Sequence, residues 1–164
     1  MVKRKSDIEA LMVVDYNPSM LQQMMEMFYN TVHEVAIKDY NQQQLDRWAP
    51  AQPDVIAWKQ RLNNNLCKVA MLNNMVVGFA ELTSEGHVDT MYVHKDHQGQ
   101  HIASNLLEEL LTIAANRDYE ILTTEASITA KPFFEKFGFK VTKVKRKLYN
   151  GKEFINYKMV KELP

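Results

Sequence analysis

The sequence predicts an α+β domain built on a mixed central sheet, and three observations support this prediction. Apolar residues in the first third fall at helical spacing, whereas short β-rich runs separated by turn residues begin at Leu66. One amphipathic helix, residues 102–116, interrupts these runs. Strands joined by tight turns lie antiparallel, and strands joined through a helix lie parallel. We therefore expect a mostly antiparallel sheet with one parallel, splayed strand pair, helices on both faces, and a ligand cleft between the splayed strands.

The first third contains one predicted strand followed by three helices. Asn17 and Pro18 have the N-cap and first-turn chemistry that begins a helix, which we expect to span residues 18–32. Pro50 and Pro53 separate the two shorter helices that follow, because proline interrupts helical hydrogen bonding. The strand and the two shorter helices are expected at residues 11–14, 42–48 and 53–64.

From Leu66 onward, turn residues bound the predicted strands. Asn73-Asn74 is a hairpin turn between the first two strands, and Asn150-Gly151 is the strongest hairpin dipeptide in the chain. Gly138 ends a short helix at residues 130–137, because glycine is favoured just beyond a helix C-terminus. The strands are expected at residues 66–72, 75–82, 87–93, 120–126, 139–148 and 154–160.

The composition indicates one soluble domain, residues 1–164, without a strong overall electrostatic field. Apolar residues make up 46% of the chain and charged residues 24%, which are ordinary values for a globular protein. Twenty basic residues balance twenty acidic ones, which disfavours binding to nucleic acid or to an anionic membrane surface. Cys67 is the only cysteine, so no internal disulfide forms, and no apolar run reaches membrane-spanning length. We expect a cytoplasmic protein with neither a nucleic-acid nor a membrane partner.

A phosphate-binding geometry is predicted where the strand at residues 87–93 turns through a polar loop into the helix that starts at Ile102. The loop contains Gly99, which permits close approach of a ligand to the backbone. A helix start presents free N–H groups and the positive end of the helix dipole. These two features together suit a phosphate group.

Other chemistries are disfavoured by the motifs that the chain lacks. His94, His97 and His101 have a spacing that metal ligands use, but neither a cysteine nor a carboxylate cluster accompanies them, and we predict no metal. The sequence contains no Gly-Lys-Ser/Thr of a P-loop, no Gly-x-Gly-x-x-Gly after an early strand, and no Gly-x-Ser-x-Gly elbow.

Two motifs resemble those of the GNAT superfamily of acyl-CoA-dependent N-acetyltransferases. Residues 92–103, Tyr-Val-His-Lys-Asp-His-Gln-Gly-Gln-His-Ile-Ala, are similar to the family's strand and its Gln/Arg-x-x-Gly-x-Gly/Ala pyrophosphate loop. Residues 130–139, Ala-Lys-Pro-Phe-Phe-Glu-Lys-Phe-Gly-Phe, are similar to its late helix with a Gly-Phe exit. The resemblance covers nearly the whole chain from Leu11, and the segment from Thr31 to Pro50 further resembles a bacterial subgroup.

The resemblance implies acetyl-CoA as cosubstrate, with backbone amides around its pyrophosphate and a strand edge along its pantetheine arm. A backbone N–H of the strand would stabilise the oxyanion. His101 stands at the family's first motif glycine, and Ala103 at the second. The implied cofactor-binding residues are Met91, Tyr92, Val93, Gln98, Gly99, Gln100, His101, Ile102, Ala103, Ser104, Ser127 and Phe134.

Acetyl transfer needs a general base and a general acid. Alternation along the strand places His87, Asp89, Met91 and Val93 on one face, so His87 or Asp89, directly or through water, is the expected base. Glu81 on the neighbouring strand is a third candidate.

The acid has no obvious candidate, because Phe134 holds the position of the family's frequent tyrosine. Ser127 holds that of its asparagine, seven residues earlier. Tyr149, Tyr157 and Tyr40 are unranked substitutes for the tyrosine.

His33, Tyr40 and Trp48 are expected to line the acceptor pocket. The acceptor is a small-molecule or peptide amine, and the sequence leaves its identity open. The rival interpretation is a non-catalytic module that binds acyl-CoA, which Phe134 and His101 favour. The oligomeric state stays open between monomer and homodimer, because the last strands of such sheets often pair between subunits.

Overall fold

The computed structural model describes residues 11–149 and 152–164. Within them the chain forms five α-helices and one seven-stranded sheet. The helices are α1 (Leu21–Val35), α2 (Gln42–Trp48), α3 (Val55–Asn64), α4 (Ile102–Asn116) and α5 (Lys131–Lys136). The strands are β1 (Met12–Asp15), β2 (Leu66–Leu72), β3 (Met75–Leu82), β4 (His87–Val93), β5 (Ile121–Ser127), β6 (Lys140–Tyr149) and β7 (Lys152–Glu162).

The sheet has the strand order β1-β2-β3-β4-β5-β7-β6. Every neighbouring pair is antiparallel except β4 and β5, which are joined through α4 and lie parallel. In the described chain these two strands pair only at His87 with Thr123 and at Val88 with Thr124. They therefore splay apart toward the C-terminal end of β4, which confirms the predicted parallel, splayed pair.

Helices cover both faces of the sheet, as predicted. Leu106, Leu107 and Leu110 of α4 pack on one face, together with Phe134 of α5. On the other face, Met24 of α1 and Trp58 and Leu62 of α3 pack against Val69 and Phe79. Each face therefore buries its own apolar cluster, and the sheet separates the two. None of the described helices combines the length and hydropathy that a membrane span needs.

Local chemistry explains the helix starts. The Asn17 side chain accepts a hydrogen bond from the Ser19 amide at 2.9 Å and Pro18 follows, so a 3-10 turn begins at the predicted place and leads into α1. The helix runs to Val35 instead of residue 32. Asp54 caps α3 by accepting from the Ala57 amide at 3.0 Å, so α3 starts two residues later than predicted.

Turn chemistry sets the hairpins. Asn73 and Asn74 both have positive φ, 46° and 61°, as the predicted two-residue turn between β2 and β3 requires. Strands β6 and β7 form the predicted hairpin, with Tyr149 opposite Lys152. The turn residues Asn150 and Gly151 themselves lie outside the described residues.

A β-bulge interrupts β4 close to the start of the split. Glu81 of β3 pairs with Thr90, whereas the next residue, Leu82, pairs with Val88. Asp89 is therefore one extra residue on β4. An extra residue reverses the alternation of side chains across a strand.

The bulge overturns the predicted placement of four β4 side chains on one face. The four are His87, Asp89, Met91 and Val93. Val88, Met91 and Val93 all pack against the α4-side core, whereas His87 contacts Thr123 on the opposite face. His87 and Met91 consequently face opposite sides of the sheet.

Candidate active site

A cavity of about 860 Å³ fills the split between β4 and β5 and continues to the N-terminus of α4. Helices α1 and α2 border it on one side of the sheet, and α4 and α5 on the other. The predicted site residues that line this cleft are His87, Asp89, Met91, Tyr92, Val93, Gln98, Gly99, His101, Ile102, Ala103, Ser104, Ser127, Phe134, Tyr40 and Trp48. The fold thus brings most of the predicted site together in one place.

The loop before α4 has the geometry of an anion cradle. Gly99 has φ +72°, and a side chain at this position would meet nothing within 4 Å, so the backbone is open to a ligand. His101 also adopts the left-handed region, at φ 62°, immediately before α4. The first-turn amides of α4 have no acceptor within the helix, and residues 102–104 line the cleft. This arrangement favours a phosphate group.

Two residues, Gln98 and Gly78, secure the cradle to the sheet. Gln98 Nε2 donates to the Val93 carbonyl oxygen at 2.7 Å, so this side chain holds the loop against the end of β4. A Cβ on Gly78 of β3 would lie 2.9 Å from Ile102 Cγ2, so only glycine lets the start of α4 pack this close to the sheet. The role of Gly78 could not be predicted from the sequence, because it depends on a contact with a helix that is distant along the chain.

The edge of β4 that faces the split is partly occupied. The Val93 carbonyl oxygen accepts from Thr31 Oγ1 at 3.1 Å as well as from Gln98, which shows that the polar groups of Val93 face the split. The N–H and C=O of one residue point to the same side of a strand, and residues two apart share that side. Val93 and Met91, rather than Tyr92, therefore present their backbone groups to a ligand in the cleft.

Aromatic side chains form the wall of the cleft below α1 and α2. The Tyr40 hydroxyl accepts from the Ile128 amide at 2.9 Å and donates to the Ile155 carbonyl oxygen at 3.3 Å. Burial is the main cause that raises the pKa of Tyr40 above its usual value. Trp48 Nε1 donates to the Tyr92 hydroxyl at 3.0 Å, and burial raises the pKa of Tyr92 to about 12. Both hydroxyls therefore stay protonated at neutral pH.

The three candidate bases lie in different environments. His87 lines the cleft, with Nδ1 2.7 Å from Thr123 Oγ1. Asp89 is exposed on the bulge and accepts from Asn65 Nδ2 at 3.4 Å. Glu81 is fully buried, receives hydrogen bonds from Arg61, Asn65 and the Thr90 hydroxyl, and does not line the cleft. Access to the cleft therefore favours His87 and Asp89.

Comparison with known proteins identifies the family of this fold and cleft. A family model described as an acetyltransferase (GNAT) domain matches residues 36–161. The chain belongs to the GNAT acetyltransferases. It is 34% identical over 149 residues to the uncharacterized N-acetyltransferase YafP of Escherichia coli, covering 91% of this chain and 94% of YafP.

Solved structures agree with this assignment. A GCN5-related N-acetyltransferase from Rhodopseudomonas palustris has a TM-score of 0.87 and 31% identity. The match covers 93% of this chain and 95% of the R. palustris chain. The yncA protein from Salmonella typhimurium, solved with its cofactor acetyl-CoA, has a TM-score of 0.71 and 18% identity, and the match covers 94% of this chain and 95% of the yncA chain. The predicted GNAT fold and N-acetyltransferase class are thereby confirmed.

This GNAT chain differs from the family pattern at the late helix. Phe134 is 4% exposed and packs against Phe133 and Phe139. Of the tyrosines considered as acids, Tyr40 lines the cleft, whereas Tyr157 lies under the Lys131 ammonium, 5.2 Å from its ring centroid. Tyr149 ends β6, and its side chain lies outside the described part of the structure.

Besides Glu81, two other predicted site residues with described side chains do not line the cleft. His33 Nε2 lies 2.8 Å from the Ala49 carbonyl oxygen, so this side chain connects α1 to the end of α2. Gln100 is exposed, with Oε1 3.2 Å from His97 Nδ1. Among the described residues, no three His, Cys, Asp or Glu side chains are placed to hold one metal ion.

Sequence reasoning missed several polar residues in the cleft and next to it. Thr31 holds the Val93 carbonyl, and Arg61 with Asn65 holds Glu81. Glu125 of β5 lines the cleft, and its hydrogen bond from Lys145 is the main cause that lowers its pKa. Each of these roles depends on a partner 16 to 62 residues away, so no local motif indicates it.

Proposed function

We propose that this GNAT protein transfers the acetyl group of acetyl-CoA to a primary amine by direct attack on the thioester. The observation that supports this most directly is the split between β4 and β5, which leads to the amides at the start of α4. The split would accommodate the extended pantetheine arm of acetyl-CoA, and the amides would accommodate its pyrophosphate. In the yncA structure the same fold was solved with acetyl-CoA.

The cofactor would lie along one continuous surface. Backbone amides of residues 98–104 would bind the pyrophosphate, with Gly99 allowing its close approach. The pantetheine arm would pair with the backbone of Met91 and with the N–H of Val93, whose carbonyl oxygen is already bonded to Thr31 and Gln98. Ser127 and Phe134, which line the opposite wall of the cleft, would contact the arm from β5 and α5.

The reaction would proceed through one tetrahedral intermediate. The neutral amine nitrogen attacks the thioester carbon, a C–N bond forms, and a backbone N–H at Met91 or Val93 stabilises the oxyanion. The C–S bond then breaks, and the thiolate leaves. His87 or Asp89, directly or through water, takes the proton from the amine. Of the two candidate tyrosines with described side chains, Tyr40 lines the cleft and Tyr157 does not, so Tyr40 is the proposed acid for the departing thiolate.

A non-catalytic acyl-CoA-binding module is the second candidate, because Phe134 replaces the usual tyrosine and His101 replaces a glycine. One experiment separates the two functions. Purified protein is incubated with acetyl-CoA and a panel of primary amines, and free thiol is measured with time. Catalysis requires thiol release that depends on both the protein and an amine, whereas a binding module releases none above the uncatalysed rate.

The proposed location is the cytoplasm, since Cys67 is a free, buried thiol and acetyl-CoA is available there. The proposed assembly is a homodimer through the edge strand β6, which exposes Val144 and Leu148 at 46% and 75%. Such apolar exposure on an edge strand favours pairing with a second copy. Sedimentation velocity tests the assembly, because a monomer at micromolar concentration would contradict it.

A further inference from the structure

A second cavity, of about 590 Å³, lies between α1 and α3 and adjoins the cleft. Trp48, Thr90 and Tyr92 line both cavities, so a ligand in the second one can reach toward the split. Five aromatic side chains line it, among them Phe28 and Trp58, which are in edge-to-face contact at 5.3 Å between ring centroids. This cavity has the size and the surface to hold an aromatic group.

Arg61 is the single cation among the described residues that line this second cavity. Its Nε donates to the Glu81 carboxylate, 3.0 Å from both oxygens, and its guanidinium lies 4.4 Å from the Trp58 ring centroid. The described residues offer no hydrogen-bond partner to its two Nη groups. Four N–H donors of a guanidinium that is already held in place are thus available to a ligand.

A carboxylate is the complement of such donors. The two Nη groups of arginine match the two oxygens of a carboxylate in a planar, bidentate pair. Glu81 occupies only the Nε position, and because Glu81 and Trp58 fix the guanidinium, little side-chain entropy is lost on binding. The acidic residues of the same cavity, Glu26 and Asp54, are exposed and already accept hydrogen bonds from Gln22 and the Ala57 amide.

We infer that the acceptor is an amine that also carries an aromatic ring and a carboxylate. The carboxylate binds the Nη groups of Arg61, the ring lies among Phe28, Trp48 and Trp58, and the amine points past Thr90 toward the thioester. Phenylalanine is the simplest probe of this class. The inference rests on the proposed acetyl transfer and specifies its acceptor.

Binding of a product analogue tests the inference without turnover. N-acetyl-phenylalanine and its neutral carboxamide are titrated separately, by calorimetry, into protein saturated with coenzyme A. We expect the carboxylate to bind at least about tenfold more tightly, because the carboxylate, unlike the carboxamide, forms a charge-assisted hydrogen-bonded pair with Arg61. Arg61→Lys keeps a cation beside Glu81 but lacks the two planar Nη groups that bind a carboxylate in a bidentate pair. It should reduce the preference for the carboxylate over the carboxamide to about twofold or less.

The control variant is Lys59→Gln, an exposed change on the same helix, which should keep the full preference. If Arg61→Lys does not fold, the double variant Arg61→Gln/Glu81→Gln removes both charges and should equally abolish the preference. Equal binding of the two ligands, binding of neither, or an undiminished preference in the Arg61 variants would each overturn the inference. Acetyl-CoA binding and thiol release with other amines are measured in the same preparations, so the proposed function can stand when the acceptor assignment fails.

Discussion

Trp48 Nε1 donates a hydrogen bond to the Tyr92 hydroxyl at 3.0 Å and so joins the end of α2 to β4. The two rings form part of the wall between the cleft and the second cavity, because both residues line both spaces. The pair connects the helical first third of the chain to the strand that would hold the cofactor. Its position predicts a role in binding the acceptor rather than the cofactor.

Trp48→Phe should raise the KM for the acceptor amine by about fivefold, since a lost hydrogen bond costs about 1 kcal/mol. The Kd for acetyl-CoA should stay within about twofold, because the phosphate loop is untouched. Steady-state kinetics and calorimetry measure the two quantities. A variant that loses acetyl-CoA affinity while keeping its KM for the amine would contradict this assignment.

Tyr40→Phe tests the proposed acid. The variant should lower kcat by about a hundredfold, which is typical of losing a general acid, while acetyl-CoA still binds. Tyr157→Phe is the matched change on β7, outside the cleft, and should lower kcat by less than about twofold. If Tyr157→Phe had the lower kcat of the two variants, Tyr157 rather than Tyr40 would be the acid.

The raised pKa of Tyr92 predicts a stability change in alkaline solution. The folded protein holds this proton up to about pH 12, whereas an unfolded tyrosine releases it near pH 10. The unfolded state therefore binds fewer protons between these values, and the free energy of unfolding should fall as pH rises from 10 to 12. Urea denaturation of wild type and Tyr92→Phe at several pH values measures this. An equal fall in both proteins would show that Tyr92 does not contribute to it.

Breaking the buried ion pair should cost far more stability than breaking an exposed one. Arg61→Ala leaves the Glu81 carboxylate buried without its cation, and we expect a loss of about 3 to 5 kcal/mol. Lys131→Ala removes the exposed ion pair with Glu135 on α5, and should cost no more than about 1 kcal/mol. Urea denaturation compares the two variants, and similar losses would show that the Arg61–Glu81 pair contributes no more to stability than an exposed ion pair does.

Local chemistry explains why so much of the fold was predictable. Strands β2, β3 and β4 have their predicted bounds, because alternating apolar residues and flanking turn residues are properties of each short segment. The bulge at Asp89 could not be predicted in this way, since it depends on how β3 and β4 pair. His87 and Met91 therefore lie on opposite faces although simple alternation placed them together.

The candidate site was predictable where a motif is contiguous. The cradle and the adjacent strand are read from one stretch of chain, and within residues 98–104 every residue except Gln100 lines the cleft. Glu81 illustrates the opposite case, because its partner Arg61 comes from a separate helix and turns an apparent surface carboxylate into a buried ion pair. His33 likewise bonds the backbone of Ala49, a contact that no local pattern predicts.

The central claim is that the start of α4 holds the pyrophosphate of acetyl-CoA, and calorimetric titration with acetyl-CoA tests it most directly. Wild type should bind, and Ala103→Trp, which places an indole where the phosphates would lie, should not bind measurably. Ala115→Trp, the same change at an exposed site near the other end of α4, should bind as wild type does. Absence of binding by wild type, or undiminished binding by Ala103→Trp, would contradict the account.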